Sequence, residues 1–319
     1  MEIRFLTGMF GSESCKRLGG YEVMKRQDFF VKSGLAVAGM AVAPQFLSSC
    51  SREPRFKISL AEWSLHRALG GKMLDNLEFP VKAKRDFGIN AVEYVSSFFS
   101  DFFTDPKYLA ELKRISDYHA VTNVLIMVDG EGNLGEPTEE GRMKTVENHV
   151  KWVDAAQFLG CHSIRVNAGG SGSPEEHAAN VVLGLRKLCE YGQTKGINII
   201  VENHGGHSSD GDWLSNVIKT VKMPNVGTLP DFGNFRISAD KEYDRYKGIE
   251  QLMPFAKGVS AKSMDFDKDG NETTIDFARM IGIVKKSGYR GYIDVEYEGS
   301  NYSEEEGIML TKKLLQRLI

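Results

Sequence analysis

Four times in this chain a helical stretch runs into a glycine and a short β-prone run follows at once. The four are Phe87-Gly88-Ile89-Asn90, Leu159-Gly160-Cys161-His162, Lys195-Gly196-Ile197-Asn198 and Ser287-Gly288-Tyr289-Arg290. Glycine just past a helix supplies the left-handed cap from which the chain turns into the next strand. With these boundaries set, eight strand segments fall out: Phe56–Ala61, Ala91–Val95, Val121–Val128, Ser163–Asn167, Ile197–Glu202, Val226–Pro230, Gly258–Lys262 and Gly291–Glu296. Amphipathic stretches lie between them, among them Pro106–His119, Thr138–Leu159, Pro174–Lys195 and Ile275–Lys286, and Ser303–Leu318 closes the series. The sixth and seventh helices have the faintest pattern. Strict alternation of β and α predicts a parallel sheet, and eight units favour closure into a (β/α)8 TIM barrel. The barrel is expected over residues 54–319 as one α/β domain, about 265 residues against the ~250 typical of such a fold. A doubly wound open sheet is the alternative, but no GxGxxG follows the first strand to support it.

Strand parity places the chemistry. Val259 and Ala261 share one face of the seventh strand while Ser260 and Lys262 share the other; on the eighth, Ile293 and Val295 oppose Asp294 and Glu296; on the second, Val92 and Tyr94 oppose Glu93. In a barrel the polar set points inward, and polar groups at strand C-termini are where barrels keep their active sites. The residues so placed are Glu93, Asn167, Glu202, Asp231, Lys262 and Glu296. Three carboxylates at one mouth, Glu202, Asp231 and Glu296, would repel one another and raise their pKa values. A divalent cation resolves that conflict, and oxygen ligands suit Mn²⁺ or Mg²⁺, with Zn²⁺ or Co²⁺ as alternatives.

The chain also resembles a known family, the xylose isomerase-like TIM barrels grouped with sugar phosphate isomerases and epimerases. The resemblance covers roughly residues 56–318 and rests on Val201-Glu202-Asn203-His204-Gly205-Gly206, Pro230-Asp231-Phe232-Gly233-Asn234, Ser260-Ala261-Lys262 and Val295-Glu296-Tyr297-Glu298-Gly299. It implies one metal held by Glu202, Asp231, the seventh-strand position and Glu296. That position departs from the family's His-x-Lys-Asp: here it reads Ser260-Ala261-Lys262-Ser263, so either Ser260 or water completes the shell, or His204 moves in, or the site binds metal weakly. The resemblance also implies proton abstraction next to a carbonyl, with Glu202 and Glu296 moving the proton through an enediolate; beside it, His204 in its loop is a candidate for acid/base work and the inward Lys262 for polarising a substrate oxygen. Trp63 and His66 after the first strand, with Glu93, Asn167 and Asn234, are candidate substrate contacts. Arg165, which shares parity with Asn167, is expected as an interior counter-charge, and Glu93 as a hydrogen-bonding partner rather than a base. The same enolate could instead expel a β-substituent, giving a keto-glycoside lyase or a dehydratase.

The N-terminus reads as an address. From Met24, a possible alternative start to Met1, Lys25, Arg26 and Lys32 form a basic region, and Ser33 to Cys50 carries no charge. The apolar stretch is short and rich in small residues, which suits an export signal over residues 1–53 better than a spanning helix. Leu47-Ser48-Ser49-Cys50 resembles a lipoprotein lipobox, so the expected location is the periplasm, with the membrane reached only through a lipid on Cys50. An exported protein is expected to meet free sugars or glycosides rather than sugar phosphates. The formal charge of −3 and pI near 6.2 give no footprint for nucleic acid. Seven histidines, none at the ends of the third, sixth and seventh strands, argue against a three-zinc repair nuclease of the same superfamily. A non-catalytic carbohydrate-binding lipoprotein is the alternative of another class, and a homo-oligomer is compatible with everything above. Asp265-Phe266-Asp267-Lys268-Asp269-Gly270 matches half of a calcium loop, but a turn is the expected form. Cys161 and Cys189 are expected as buried thiols.

Overall fold

The computed structural model describes residues 55–102 and 105–319. The leader, its lipobox cysteine and the alternative start lie outside the described residues. Eight parallel strands follow in order, each with a helix behind it: strand 1 (Phe56–Ala61), 2 (Ala91–Val95), 3 (Thr122–Met127), 4 (Ser163–Asn167), 5 (Asn198–Glu202), 6 (Val226–Leu229), 7 (Val259–Ser263) and 8 (Gly291–Tyr297). Neighbours pair in sequence order, and strand 8 pairs with strand 1. Between strands 6 and 7 the seam is carried by bridges rather than a ladder: Ser260 N donates to Pro230 O at 2.9 Å, Phe232 N to Ser260 O at 3.1 Å and Lys257 N to Thr228 O at 3.0 Å. The result is a nearly closed (β/α)8 barrel.

The expected boundaries hold with small shifts. Strand 5 begins one residue later than expected because Ile197 N still bonds back to Gly192 O in the helix cap. Strand 6 stops at Leu229, since Pro230 has no N–H to continue a ladder. Strands 7 and 8 each run one residue further, to Ser263 and Tyr297, which pair with each other. The helix expected from Ile275 begins at Phe277, where the Asp276 side chain accepts from Arg279 N at 2.9 Å and caps it. The faint sixth helix is real but short, Arg245–Leu252, preceded by a small hairpin pairing Arg236–Ser238 with Lys241–Glu242. Gly88, Gly160 and Gly196 adopt positive φ and cap their helices; at the fourth boundary Ser287 is the cap and Gly288 takes the positive φ one residue on.

Two apolar clusters result. The large one fills the layer between strands and helices. A small one, with Ala61, Ala91, Val95, Leu125, Met127, Ile200 and Leu229, fills part of the barrel interior, mostly on strands 1, 2, 3, 5 and 6. From strand 8 the partly buried Tyr292 packs against it, and the other inward positions of strands 7 and 8 are Ser260, Lys262, Asp294 and Glu296, all buried. Apolar and charged side chains therefore share the interior, with Glu93 on strand 2 and Glu202 on strand 5 also buried. Among the described residues no helix is long and apolar enough to cross a membrane. Cys161 and Cys189 are buried free thiols. The Asp265–Gly270 segment is a turn, with Asp267 Oδ1 accepting from Asp269 N and Asn271 N at 2.9 Å.

Candidate active site

At the C-terminal mouth of the barrel a cavity of about 340 Å³ is lined by Trp63, Asp129, Arg165, Glu202, His204 and Glu296, with Glu298 at its edge. Glu202 and Glu296 sit at the ends of strands 5 and 8, and register fixes what faces them. Asn167 stands opposite Glu202, and Lys262 opposite Glu296.

Each carboxylate is tied to its own cation. Glu202 Oε2 lies 2.9 Å from Arg165 Nε, while its Oε1 accepts from Asn234 Nδ2 at 2.9 Å. Arg165 also holds Asp129 at 2.7 Å, and Asn167 Nδ2 donates to the same Asp129 oxygen at 2.7 Å. Glu296 Oε1 lies 3.0 Å from Lys262 Nζ, and its Oε2 accepts from Ser260 Oγ at 2.8 Å. Lys262, 2% exposed, also meets Glu298 at 3.0 Å, Asp231 Oδ2 at 3.8 Å and the Asn234 amide oxygen at 3.3 Å. Burial works against each of these charges, and partners decide the balance. Burial alone would raise Glu296, but Lys262 and Ser260 outweigh it and hold the carboxyl below its usual range. Burial would lower Lys262, but Asp231, Glu296 and Glu298 hold it well up, so the ammonium stays charged. Asp231 is pushed well up by burial in spite of Lys262.

A second carboxyl pair lies within the barrel interior. Glu93 accepts from Ser59 Oγ at 2.6 Å and is raised by burial to about 7. Asp294 beside it is raised further, by burial and then by Glu93. As a carboxylate Asp294 would have both buried oxygens without a donor; as an acid it uses one of them to donate to Glu93.

The structure thus brings together Glu202, Glu296, Asp231, Ser260, Lys262, Asn167 and Asn234, and Arg165 takes the expected counter-charge role. Trp63 lines the cavity, stacked on Phe98 and His66 with centroids 5.9 and 5.0 Å away. His66 itself lies off the cavity lining: its Nδ1 meets Trp63 O at 2.8 Å and lies 3.7 Å from Glu304. Glu93 lies deeper, off the lining, as a hydrogen-bonding residue. His204 is exposed on the rim. Asp129 was missed. It follows strand 3, and the strand-end rule that found Glu202 would have found it there. Glu298, which the sequence offers only as a neighbour of Glu296 in its motif, accepts from Lys262 Nζ at 3.0 Å.

The donor set suits a hard divalent cation in kind, with three carboxylates of which Asp231 keeps a buried oxygen without a hydrogen bond. Ser260 stands where a stronger nitrogen ligand is expected, and its hydroxyl is turned to Glu296. As the side chains lie, no three His, Cys, Asp or Glu among the described residues gather as a ready shell. Lys262 stands among them, so a cation must compete with its ammonium.

A 74-residue stretch is 39% identical to the C-glycoside deglycosidase alpha subunit of Arthrobacter globiformis, spanning 21% of this chain and 21% of that relative. Among solved structures, the IolI protein with a bound zinc atom superposes with a TM-score of 0.65 at 17% identity, covering 82% of this chain and 97% of that one. A D-tagatose 3-epimerase-like protein gives 0.64 at 20% identity, covering 82% and 96%. At such identities the likeness is one of fold. The family model for the xylose isomerase-like TIM barrel matches residues 81–318, from the first barrel helix to the last. Barrel, inward carboxylates and matched span agree, and the chain belongs to the xylose isomerase-like TIM barrel family.

Proposed function

We propose that this protein is a sugar isomerase or epimerase that moves a proton at the carbon next to a carbonyl of a non-phosphorylated sugar or keto-sugar. The observation that carries the reading is that Glu202 and Glu296, on strands 5 and 8, line one cavity and are each neutralised by a separate buried cation. Arg165 stands against Glu202, and Lys262 holds Glu296 below its usual range, so each group that is to accept a proton has a cation beside it. An ionised carboxylate has about four lone-pair sites, and two are used in each case, which leaves room for a C–H proton. With two such groups on different strands, one removes the proton and the other returns it at the opposite face or the adjacent carbon. Trp63 offers an apolar face for the sugar ring, and Asn234 fixes Glu202 while facing Lys262.

A divalent cation, proposed to be held by Glu202, Asp231 and Glu296 with Ser260 nearby, supplies charge stabilisation for the developing enediolate. The zinc in the IolI protein supports a cation without fixing its identity. A second reading, favoured by the stretch shared with the deglycosidase subunit, is β-elimination from a keto-glycoside. There the same carbanion expels the glycosidic substituent. His204 on the rim suits protonation of that leaving group better than Lys262, whose hydrogens are already shared by Glu296, Glu298 and Asn234. The export signal expected over residues 1–53 fits the choice of an unphosphorylated substrate, and we read it as periplasmic export with a lipid on Cys50.

Incubation with ketoses and keto-glucosides in D₂O, with and without added Mn²⁺, Mg²⁺, Co²⁺ or Zn²⁺, tests the reading by proton NMR. Solvent deuterium is expected at the carbon next to the carbonyl. It should fall by about 10²-fold or more in Glu202→Gln and in Glu296→Gln. Free aglycone rather than an isomer would select the second reading. In Lys262→Met the competing ammonium is gone, so added divalent cation should raise the thermal midpoint more than in the wild type. No deuterium exchange, together with no thermal response to any cation in either protein, would sink the proposal.

A further inference from the structure

Beside the mouth lies a second cavity of about 460 Å³, whose charged lining is two arginines, Arg236 and Arg245, and one carboxylate, Glu242. His204 belongs to the walls of both cavities, and Asn234, which bonds Glu202, lines the second. The far wall comes from the hairpin after strand 6 and the helix behind it, which bring Arg236 and Arg245 to the same space. Arg245 is half-buried, and among the described residues its guanidinium has no ion pair, hydrogen bond or aromatic partner. Arg236 is exposed and paired only with Glu242, at 3.5 Å across the hairpin. A half-shielded guanidinium without a partner is uncommon, because burial removes water that only an anion or acceptors replace. The Gly205–Gly206 backbone on the near side takes φ of +85° and +59°, and Cβ atoms there would meet open space, so the approach is clear.

We propose that this side cavity is an anion subsite that selects sugars carrying a carboxylate, with Arg245 and Arg236 as the specificity residues. The inference rests on the reading of the mouth as the place where a sugar reacts. The mouth itself, lined by Asp129, Glu202, Glu296 and Glu298, repels an anion. An acidic substrate is therefore oriented: its charged end is driven to the arginines and its carbonyl end toward Glu202 and Glu296. Guanidinium suits a carboxylate because its planar fork can bind both oxygens at once.

Binding by titration calorimetry tests this with neutral and anionic partners of one skeleton: D-glucose against D-glucuronate, and D-fructose against D-fructose 6-phosphate. D-glucuronate is expected to bind tenfold or more tightly than D-glucose. That ratio should shrink with rising salt, fall toward one in Arg236→Gln/Arg245→Gln, and recover in part in Arg245→Lys. A preference confined to the phosphate pair would overturn the carboxylate subsite. Both arginines reach solvent, so the variants should melt with the wild type, and the ratio is read within each protein. An unchanged ratio in the double glutamine variant, or neutral sugars binding as tightly as anionic ones, overturns the subsite and leaves the sugar-processing reading standing. Absence of binding by every sugar, neutral and anionic, removes both.

Discussion

Lys262 shows how one residue organises the mouth. Its ammonium touches Glu296 and Glu298 and approaches Asp231, so removing it leaves buried negative charge uncompensated. Glu62 carries a different burden. It is fully buried after strand 1, accepts from Asn76 Nδ2 at 2.6 Å and Val95 N at 2.7 Å, and has no cation beside it. Burial therefore raises it from 4.5 to about 8, against those two hydrogen bonds. Between those values the folded chain keeps a proton that the unfolded chain has lost, so stability falls as pH rises through the window. The loss is on the order of 1.4 kcal/mol for each pH unit above the unfolded value. Thermal midpoints measured from pH 5 to 9 should decline, and Glu62→Gln should flatten the decline; a parallel curve would refute it. Glu93, raised to about 7, adds to the same trend. Strand parity made Glu93 legible as an interior residue. Glu62 was not legible, because nothing local marks a residue one past a strand as sealed from water.

Among elements, the last helix shows how closely the outer layer is fitted. Glu304–Leu318 opens with a capping box, in which Ser303 and Glu306 satisfy each other's backbone N–H groups. Its Glu304 reaches across to accept from Arg67 N at 2.6 Å and Ala68 N at 3.1 Å, locking the loop that carries Trp63. On the helix, Gly307 leaves room for the buried Tyr297 ring, and a Cβ there would run into ring carbons. Helix propensity alone makes Gly307→Ala stabilising by about 1 kcal/mol. Contact with the ring should reverse the sign, costing about 1–3 kcal/mol net in denaturant unfolding. A stabilised variant would show that Tyr297 moves freely. The helix itself was legible from its periodicity and its Ser-x-x-Glu start. The close approach was not, since a glycine inside a helical pattern does not announce which ring it faces.

For the whole molecule, closure is uneven. Strands 1 and 8 pair through five consecutive residues, whereas strands 6 and 7 meet through three backbone bonds around Pro230. Opening should start at that seam, which also carries Asp231 and Ser260. In hydrogen exchange the Phe232 and Ser260 amides are expected to exchange about tenfold faster or more than those of Ile58 and Ile293, an opening difference near 1.4 kcal/mol. Equal protection would mean that the barrel opens as one unit.

The sequence by itself determined the number and order of the eight strands, the helices between them and which residues face inward. Those follow from period and punctuation, which are local: a glycine cap, a two-residue alternation, a helical stripe. Only the tertiary structure decided how the inward charges are shared. Arg165 serves Glu202 and Asp129, while Lys262 serves Glu296, Glu298 and Asp231. It also decided that the hairpin after strand 6 brings two arginines beside an acidic mouth. Charge pairing depends on distances of a few ångströms between strands far apart in the chain, and no periodicity encodes those.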